Sequence, residues 1–298
     1  MRLVNIEDLR RPQEHIEPLI KQAQGLADLY DAFLKQDDET YSYEVVDYAE
    51  DTRAAGIHAS EMSKCRRRLV YGILGTERRP DVEKVNANMK LRFRTGTAIH
   101  AMLQSDFTRM AAWYTTTYQA QGYSLTFEKE LSVKPDKQAL AYKWGIHSSC
   151  DGCFTFWRWD PTAGSWLPYL RVGVEVKTSS AGMYEKRTKP EPDHAEQTCL
   201  YQACLDLPLM WVFYYNKSNS NYTTPNAPWL FKFDSNLWER ELEARFSQAH
   251  QEARSGQLPE RAPGIHCDWC PFRYTCQPPN RRRRGTPLVP GSMRAQRP

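Results

Sequence analysis

The stretch R-V-G-V-E-V-K-T, residues 171–178, leaves the chain little choice of conformation. Val172, Val174 and Val176 alternate with Gly173, Glu175 and Lys177. Strand side chains change face at every residue, and β-branched residues favour that geometry. Three valines on one side therefore face a core, and the carboxylate of Glu175 emerges beside the ammonium of Lys177 on the other. Just upstream, F-W-R-W-D-P-T-A-G-S-W-L-P-Y carries a turn signal in D-P-T-A-G. Phe154–Trp159 and Trp166–Val176 are predicted to pair antiparallel, with Asp151 and Glu175 across from one another near the open end of the hairpin. Two acids there can hold a hard divalent cation through oxygen, with Lys177 beside it, an arrangement suited to phosphodiester cleavage.

The flanking segments predict helices and strands in alternation, an α/β (α+β) chain. Residues 1–56 show helical periodicity around Leu19, Ile20, Leu26, Leu29, Tyr30 and Phe33 and read as a packing or partner-binding segment. Ser60 is expected to cap a helix running to about Leu74, with Cys65 inside it and Arg66, Arg67 and Arg68 over neighbouring faces. A long helix is expected over residues 81–119, its apolar stripe made of Ile99, Met102, Leu103, Phe107 and Met110. On it His100 shares a face with Gly96, which leaves room beside the imidazole. Leu125, Phe127, Leu131 and Val133 alternate with polar residues and predict a half-buried strand. Asp193 and Glu196 have the spacing of a capping box. In the helix they open, Leu200, Ala203, Cys204 and Leu207 bury one side while Gln197 and Tyr201, four apart, share another. W-V-F-Y-Y and W-L-F-K-F read as strands, and a helix from about Leu237 to Arg254 stops at Ser255-Gly256.

The chain has 298 residues, of which 41% are hydrophobic, enough to bury a substantial core. No apolar run approaches the roughly 18 residues of a membrane span, and the charged N-terminus does not read as a secretory signal. A soluble, cytoplasmic protein with no membrane partner is expected. Six arginines in the tail (Arg281–Arg284, Arg294 and Arg297) more than account for the formal net charge of +4; without them the chain stands at −2. Affinity for nucleic acid must then come from local patches. The tail, residues 278–298, is basic and expected to be disordered; its L-V-P-G-S resembles a tag remnant, and it is set aside from fold reasoning.

Cys267, Cys270 and Cys276 form C-x2-C-x5-C, three soft ligands within ten residues, a pattern of metal or cluster ligation in a reducing compartment. A fourth ligand is needed. Cys150 and Cys153 would suit zinc, but residues three apart on a strand point to opposite faces. Cys199 and Cys204, five apart on a helix and roughly 140° around its axis, read as core. Cys65 is left.

Taken in order, these pieces resemble the RecB-like branch of the PD-(D/E)XK nucleases that carries an iron–sulfur cluster, a group that includes CRISPR-associated adaptation exonucleases, the AddB nuclease domain and phage versions. The elements that carry the resemblance are Cys65, Gly96…His100, Asp151, Glu175-Val176-Lys177, Gln197…Tyr201 and Cys267/Cys270/Cys276, spread over residues 57–277. The separation of Asp151 from Glu175 departs from the family pattern through the aromatic hairpin Phe154–Tyr169. The resemblance implies a restriction-endonuclease-like mixed sheet flanked by helices. Residues 1–56, the N-terminal helical segment, and residues 278–298 fall outside the match; residues 57–277 would form the nuclease domain, and the cysteines a region joining its two ends. His100, Asp151, Glu175 and the Val176 carbonyl would bind Mg²⁺ or Mn²⁺. Lys177 would orient the nucleophile, and Gln197 and Tyr201 would hold the site or the scissile strand. The four cysteines would carry a [4Fe–4S] cluster as a structural clip. The implied activity is a metal-dependent exonuclease on single-stranded or resected DNA ends, in recombination, repair or CRISPR-type adaptation, with proteins of those processes as partners. Two other readings stand beside it: a non-catalytic iron–sulfur DNA-binding or adaptor protein, and a zinc-stabilised endonuclease of restriction type.

Overall fold

The computed structural model describes residues 17–37, 56–63, 65–78, 87–222, 229–264, 266–267 and 270–277; the basic tail predicted beyond residue 277 lies outside them. Five strands form one mixed sheet in the order β1-β2-β3-β4-β5. These are β1 (Tyr123–Val133), β2 (Ser148–Asp160), β3 (Ser165–Ser179), β4 (Leu209–Asn216) and β5 (Trp229–Lys232). β2 and β3 pair antiparallel through Trp159↔Trp166 to Gly152↔Val174, as the turn signal predicts. β3 and β4 run parallel, which requires a crossover; α6 (Ala181–Glu185) and α7 (Pro192–Leu205) supply it. Helices flank the sheet, an α+β architecture compatible with the restriction-endonuclease-like core that the resemblance implies. Among the described residues, no helix is long and apolar enough to cross a membrane.

One face of the sheet is covered by α1 (Glu17–Gln24), α2 (Leu26–Gln36) and the long α4 (Ala87–Tyr118). Val172, Val174 and Val176 supply its floor. Phe107 sits at the centre, with the rings of Tyr30, Phe127, Phe154, Trp211 and Phe213 at centroid distances of 5.4–5.8 Å. The other face packs against α7, α5 (Ala139–Trp144), α3 (Arg66–Ile73) and α8 (Glu243–Ser255), which continues a π-helical turn over Leu237–Leu242. β4 lies between the two layers and is buried along its whole length.

Three local expectations give way to the structure. The predicted helix from Ser60 is broken: Ala59–Glu61 is a single 3-10 turn, α3 begins at Arg66, and Cys65 is its N-cap rather than an interior residue. The buried Glu61 accounts for the break. Its carboxylate accepts from Arg68 at 2.6 Å and Arg78 at 2.8 Å, which fixes the turn as a separate anchor. Secondly, α7 starts two residues early, with Glu191 rather than Asp193 as N-cap and Pro192 in the first turn. Proline suits that position because its fixed φ is helical and it has no N–H to leave unpaired. Glu196 makes no capping box and instead pairs with Arg245 of α8 at 2.6 Å.

The third difference is in β1 and β2. Leu125 and Phe127 pack with the α4 layer, whereas Leu131 and Val133 lie in the α7 layer, so the four do not share a face. In β2, Phe154 and Phe156 face α4, while Cys150 and Cys153 both sit in the α7 layer, contrary to the expected alternation. Both strands change face at one level. There Glu130 adopts φ 54° in the left-handed region, and the β1–β2 ladder passes from Lys129↔Gly152 to Leu131↔Cys150 without the Glu130–Asp151 rung. Such a backbone at a non-glycine residue costs on the order of 1 kcal/mol and persists only where its surroundings hold it. Gly152 is required beside the kink, because a Cβ there would lie 2.2 Å from Phe127 Cζ.

Phe107 is fully buried and ring-packed on all sides. Phe107→Ala is expected to lower unfolding stability by about 3–5 kcal/mol, read by urea denaturation, with the secondary structure retained.

Candidate active site

The ladder between β2 and β3 ends at Gly152↔Val174, and beyond it the strands part. The next β3 amide directed at β2, that of Val176, donates to Asp151 Oδ2 at 2.6 Å. A side-chain carboxylate thus replaces the backbone acceptor. An antiparallel residue that offers its N–H across a ladder offers its carbonyl on the same side. Val176 therefore presents its carbonyl to the same opening.

Two layers supply the remaining groups. From α4, His100 Nδ1 lies 3.3 Å from Asp151 Oδ1. A Cβ on Gly96 would meet only Thr178 Oγ1, at 3.8 Å, so the helix face one turn before His100 closes on the end of β3 without crowding. From β3 itself, Lys177 Nζ donates to Glu175 Oε1 at 2.7 Å and to Gln197 Oε1 at 2.8 Å. From α7, Gln197 Nε2 donates to Glu175 Oε1 at 2.9 Å and to the Tyr201 hydroxyl at 3.1 Å. Tyr201 donates in turn to the Ser149 carbonyl at 2.6 Å. His100, Asp151, Glu175, Val176, Lys177, Gln197 and Tyr201 are thus brought to one opening.

Two residues of this network have no counterpart in the sequence reading. Gln104 donates to both Glu130 Oε1 and the Asp151 carbonyl, each at 2.8 Å. Its position one turn after His100 is a signal that helical spacing offers. Nothing in the sequence marks Glu130, because no residue pattern announces a left-handed glutamate in a strand.

Glu175 is 5% exposed and its Oε2 has no hydrogen-bond partner. Burial raises its pKa, to about 7; Lys177 pulls it back, and the charge of Asp151 pushes the same way as burial. For His100, burial alone would depress the pKa, but the hydrogen bond and charge of Asp151 outweigh it and the net shift is upward. Burial drives the Tyr201 hydroxyl well above its ordinary value, so it stays a neutral donor. Among the described residues, no three His, Cys, Asp or Glu side chains are gathered as a ready metal-ligand set. His100 and Asp151 are bonded to each other, and Glu175 is bonded to Lys177 and Gln197. The orphaned Glu175 oxygen is nevertheless the kind of group that a hard cation satisfies.

The four cysteines of the sequence pattern occupy two segments that pack together. Cys65 precedes α3, whose Arg67 donates to the Pro259 carbonyl at 2.8 Å and approaches Cys276 Sγ at 3.8 Å. Phe272 stacks near Tyr71 of α3 at 5.4 Å, beneath the Arg78 guanidinium at 5.1 Å. Burial raises the Cys270 thiol, and the neighbouring Cys276 and Cys267 add to the shift. All four thiols are free and partly exposed. Cys150, Cys153, Cys199 and Cys204, by contrast, are buried in the α7-side core.

No known family's sequence profile matches the chain, and no curated protein sequence matches it. Among solved structures, it is similar to SSO0001 at 15% identity and a TM-score of 0.35, over 87% of this chain and 98% of that one. It is similar at the same identity and TM-score to the alkaline exonuclease LHK-Exo from Laribacter hongkongensis, alone and in complex with dAMP, over 68% of this chain and 90% of that one. Likeness at this level assigns neither a family nor an activity.

The buried carboxylate carries a pH signature. An acid whose folded pKa lies above its unfolded value binds more protons when folded, so its contribution to stability falls as pH rises between the two. In metal-free protein, the stability of wild type minus that of Glu175→Gln is expected to fall by on the order of 2 kcal/mol between pH about 4.5 and about 7, by paired denaturation curves. A flat difference would remove the buried-charge account.

Proposed function

We propose that this protein is a divalent-metal-dependent DNA exonuclease that acts on single-stranded or resected ends. The observation that supports the reading is a pair of hydrogen-bonded groups at the split between β2 and β3, His100 with Asp151 and the Val176 amide, and Glu175 with Lys177, Gln197 and Tyr201, with one buried oxygen of Glu175 left unpaired. An ion would be held by Asp151, Glu175 and His100 with the Val176 carbonyl. When bound, Mg²⁺ or Mn²⁺ supplies positive charge to the phosphoryl oxygens and acidifies an attacking water.

The chain's own residues do the rest. Lys177 is anchored on two oxygens and keeps its ammonium at the opening, where it orients the nucleophile and offsets negative charge that grows on phosphorus-bound oxygen. Gln197 joins the Glu175 carboxylate to Tyr201, and Tyr201 fixes the start of β2 through Ser149, so the α7 side of the site resists displacement. The approach of α4 to the end of β3 at Gly96 and Thr178 leaves the imidazole of His100 partly exposed, where a substrate strand would reach it. Cys65, Cys267, Cys270 and Cys276 would hold a [4Fe–4S] cluster that clips the C-terminal segment to α3. The packing of Phe272 on Tyr71 and the approach of Arg67 to Cys276 support that assignment.

Incubation of end-labelled single-stranded DNA with Mn²⁺ is expected to release nucleotides, and Glu175→Ala and Lys177→Ala each to lower the rate at least about 100-fold. A wild type that binds the DNA without degrading it would favour the adaptor reading. Protein purified without oxygen is expected to absorb near about 400 nm and to lose that band on Cys276→Ser. A colourless protein that holds zinc would replace the cluster with a zinc site.

A further inference from the structure

Regular alternation would place Asp151 on the side of β2 that carries Cys153, beneath α7 and away from α4. It does not lie there. The kink turns its carboxylate into the split, against the Val176 amide and His100 of α4. What holds the kink is therefore what aims Asp151.

Gln104 is placed to do this. It is 6% exposed, one helical turn beyond His100, and its single amide nitrogen reaches the two residues of the missing rung, the Glu130 carboxylate and the Asp151 carbonyl. Had the ladder continued, those residues would have met each other directly, as their neighbours Lys129↔Gly152 and Leu131↔Cys150 do. Gln104 lies between them as a wedge that replaces one rung. Glu130 pays for the arrangement with its left-handed backbone, φ 54°, and its carboxylate supplies the acceptor on the β1 side. Because Gln104 and His100 stand on one helix, the same rigid rod that presents the imidazole also sets the strand that presents its acidic partner.

We propose that Gln104 is a positioning residue, acting with Glu130, that locks the β1–β2 kink and so directs the Asp151 carboxylate to the Val176 amide and His100. The consequence for ion binding rests on the nuclease reading; the consequence for the Val176 amide does not.

The test compares wild type with Gln104→Leu, which keeps the length and removes the donor, and with Glu130→Gln, which keeps an oxygen for Gln104. Amide hydrogen exchange is followed by NMR without metal, and Mn²⁺ affinity by calorimetry. In Gln104→Leu the Val176 amide is expected to exchange at least tenfold faster while Val212 and Phe213 of buried β4 stay slow. Glu130→Gln is expected to keep Val176 at the wild-type rate. Mn²⁺ affinity in Gln104→Leu is expected to fall about 10–100-fold, the usual effect of losing a group that orients a ligand. Should β4 also exchange quickly in Gln104→Leu, the variant has lost its fold, and Gln104→Glu, which accepts but does not donate when ionised, takes its place with the same expectation. An unchanged Val176 rate in a folded Gln104 variant overturns the lock. If Val176 accelerates but wild type binds no Mn²⁺ and degrades no DNA, the lock stands and the nuclease reading falls.

Discussion

The short bond from the Val176 amide to Asp151 Oδ2, 2.6 Å, is the interaction on which the site depends. A hydrogen bond to an ionised carboxylate is roughly twice as strong as one between neutral groups, so the side chain can take over a position that a strand carbonyl would fill. Once it has, the β2–β3 ladder stops at Gly152↔Val174, and the strands leave a gap between them. Groups from both layers reach this gap: His100 from the α4 side, Gln197 and Tyr201 from the α7 side. An intact sheet would keep them apart on opposite faces.

The strand that carries Glu175 and Lys177, the hairpin that brings Asp151 near them, and the pairing of Gln197 with Tyr201 were legible because each depends on a strict period of two or of about four residues. The face change at Glu130 and Asp151 was not. Periodicity reads a strand as if every residue obeyed the same rule, and the αL backbone of Glu130 breaks the rule at a residue whose type gives no warning. The start of α7 was misplaced for a related reason. Asp193 and Glu196 have capping-box spacing, but Pro192 already fits the first turn and Arg245 claims Glu196. Likewise the helix expected from Ser60 fails because a tertiary ion pair, Glu61 with Arg68 and Arg78, overrides a local signal. In each case a partner distant in sequence, or a neighbour with a stronger preference, decided the outcome.

The same partners tie the site to the cysteine-bearing region. Arg245 of α8 holds Glu196 of α7 and also donates to the Met62 carbonyl at 3.3 Å, next to the Glu61 anchor. Arg68 of that anchor lies in the first turn of α3, adjacent to Cys65. α7, in which Gln197 follows Glu196 directly and Tyr201 lies one turn on, is thereby braced against the segment that would hold the cluster. A cluster of the kind proposed for these cysteines would, at that place, brace the helix that carries Gln197 and Tyr201 without entering the site.

Charge explains why so strained a centre is worth keeping. Counted formally, with both carboxylates of Asp151 and Glu175 and the ammonium of Lys177 charged and the imidazole of His100 neutral, the opening carries minus one. An ionised carboxylate buried with an unpaired oxygen is costly, and in isolation the cheaper state protonates it, the direction in which the Glu175 pKa moves. A divalent cation reverses that preference and leaves the opening with a net charge of plus one. The phosphodiester of a nucleic-acid strand carries one negative charge per nucleotide, so the loaded site and one phosphate balance. Lysine cannot be traded for a neutral residue without losing this balance, nor can either acid. The proposed action on an anionic diester rests on this composition more than on any one distance in the opening.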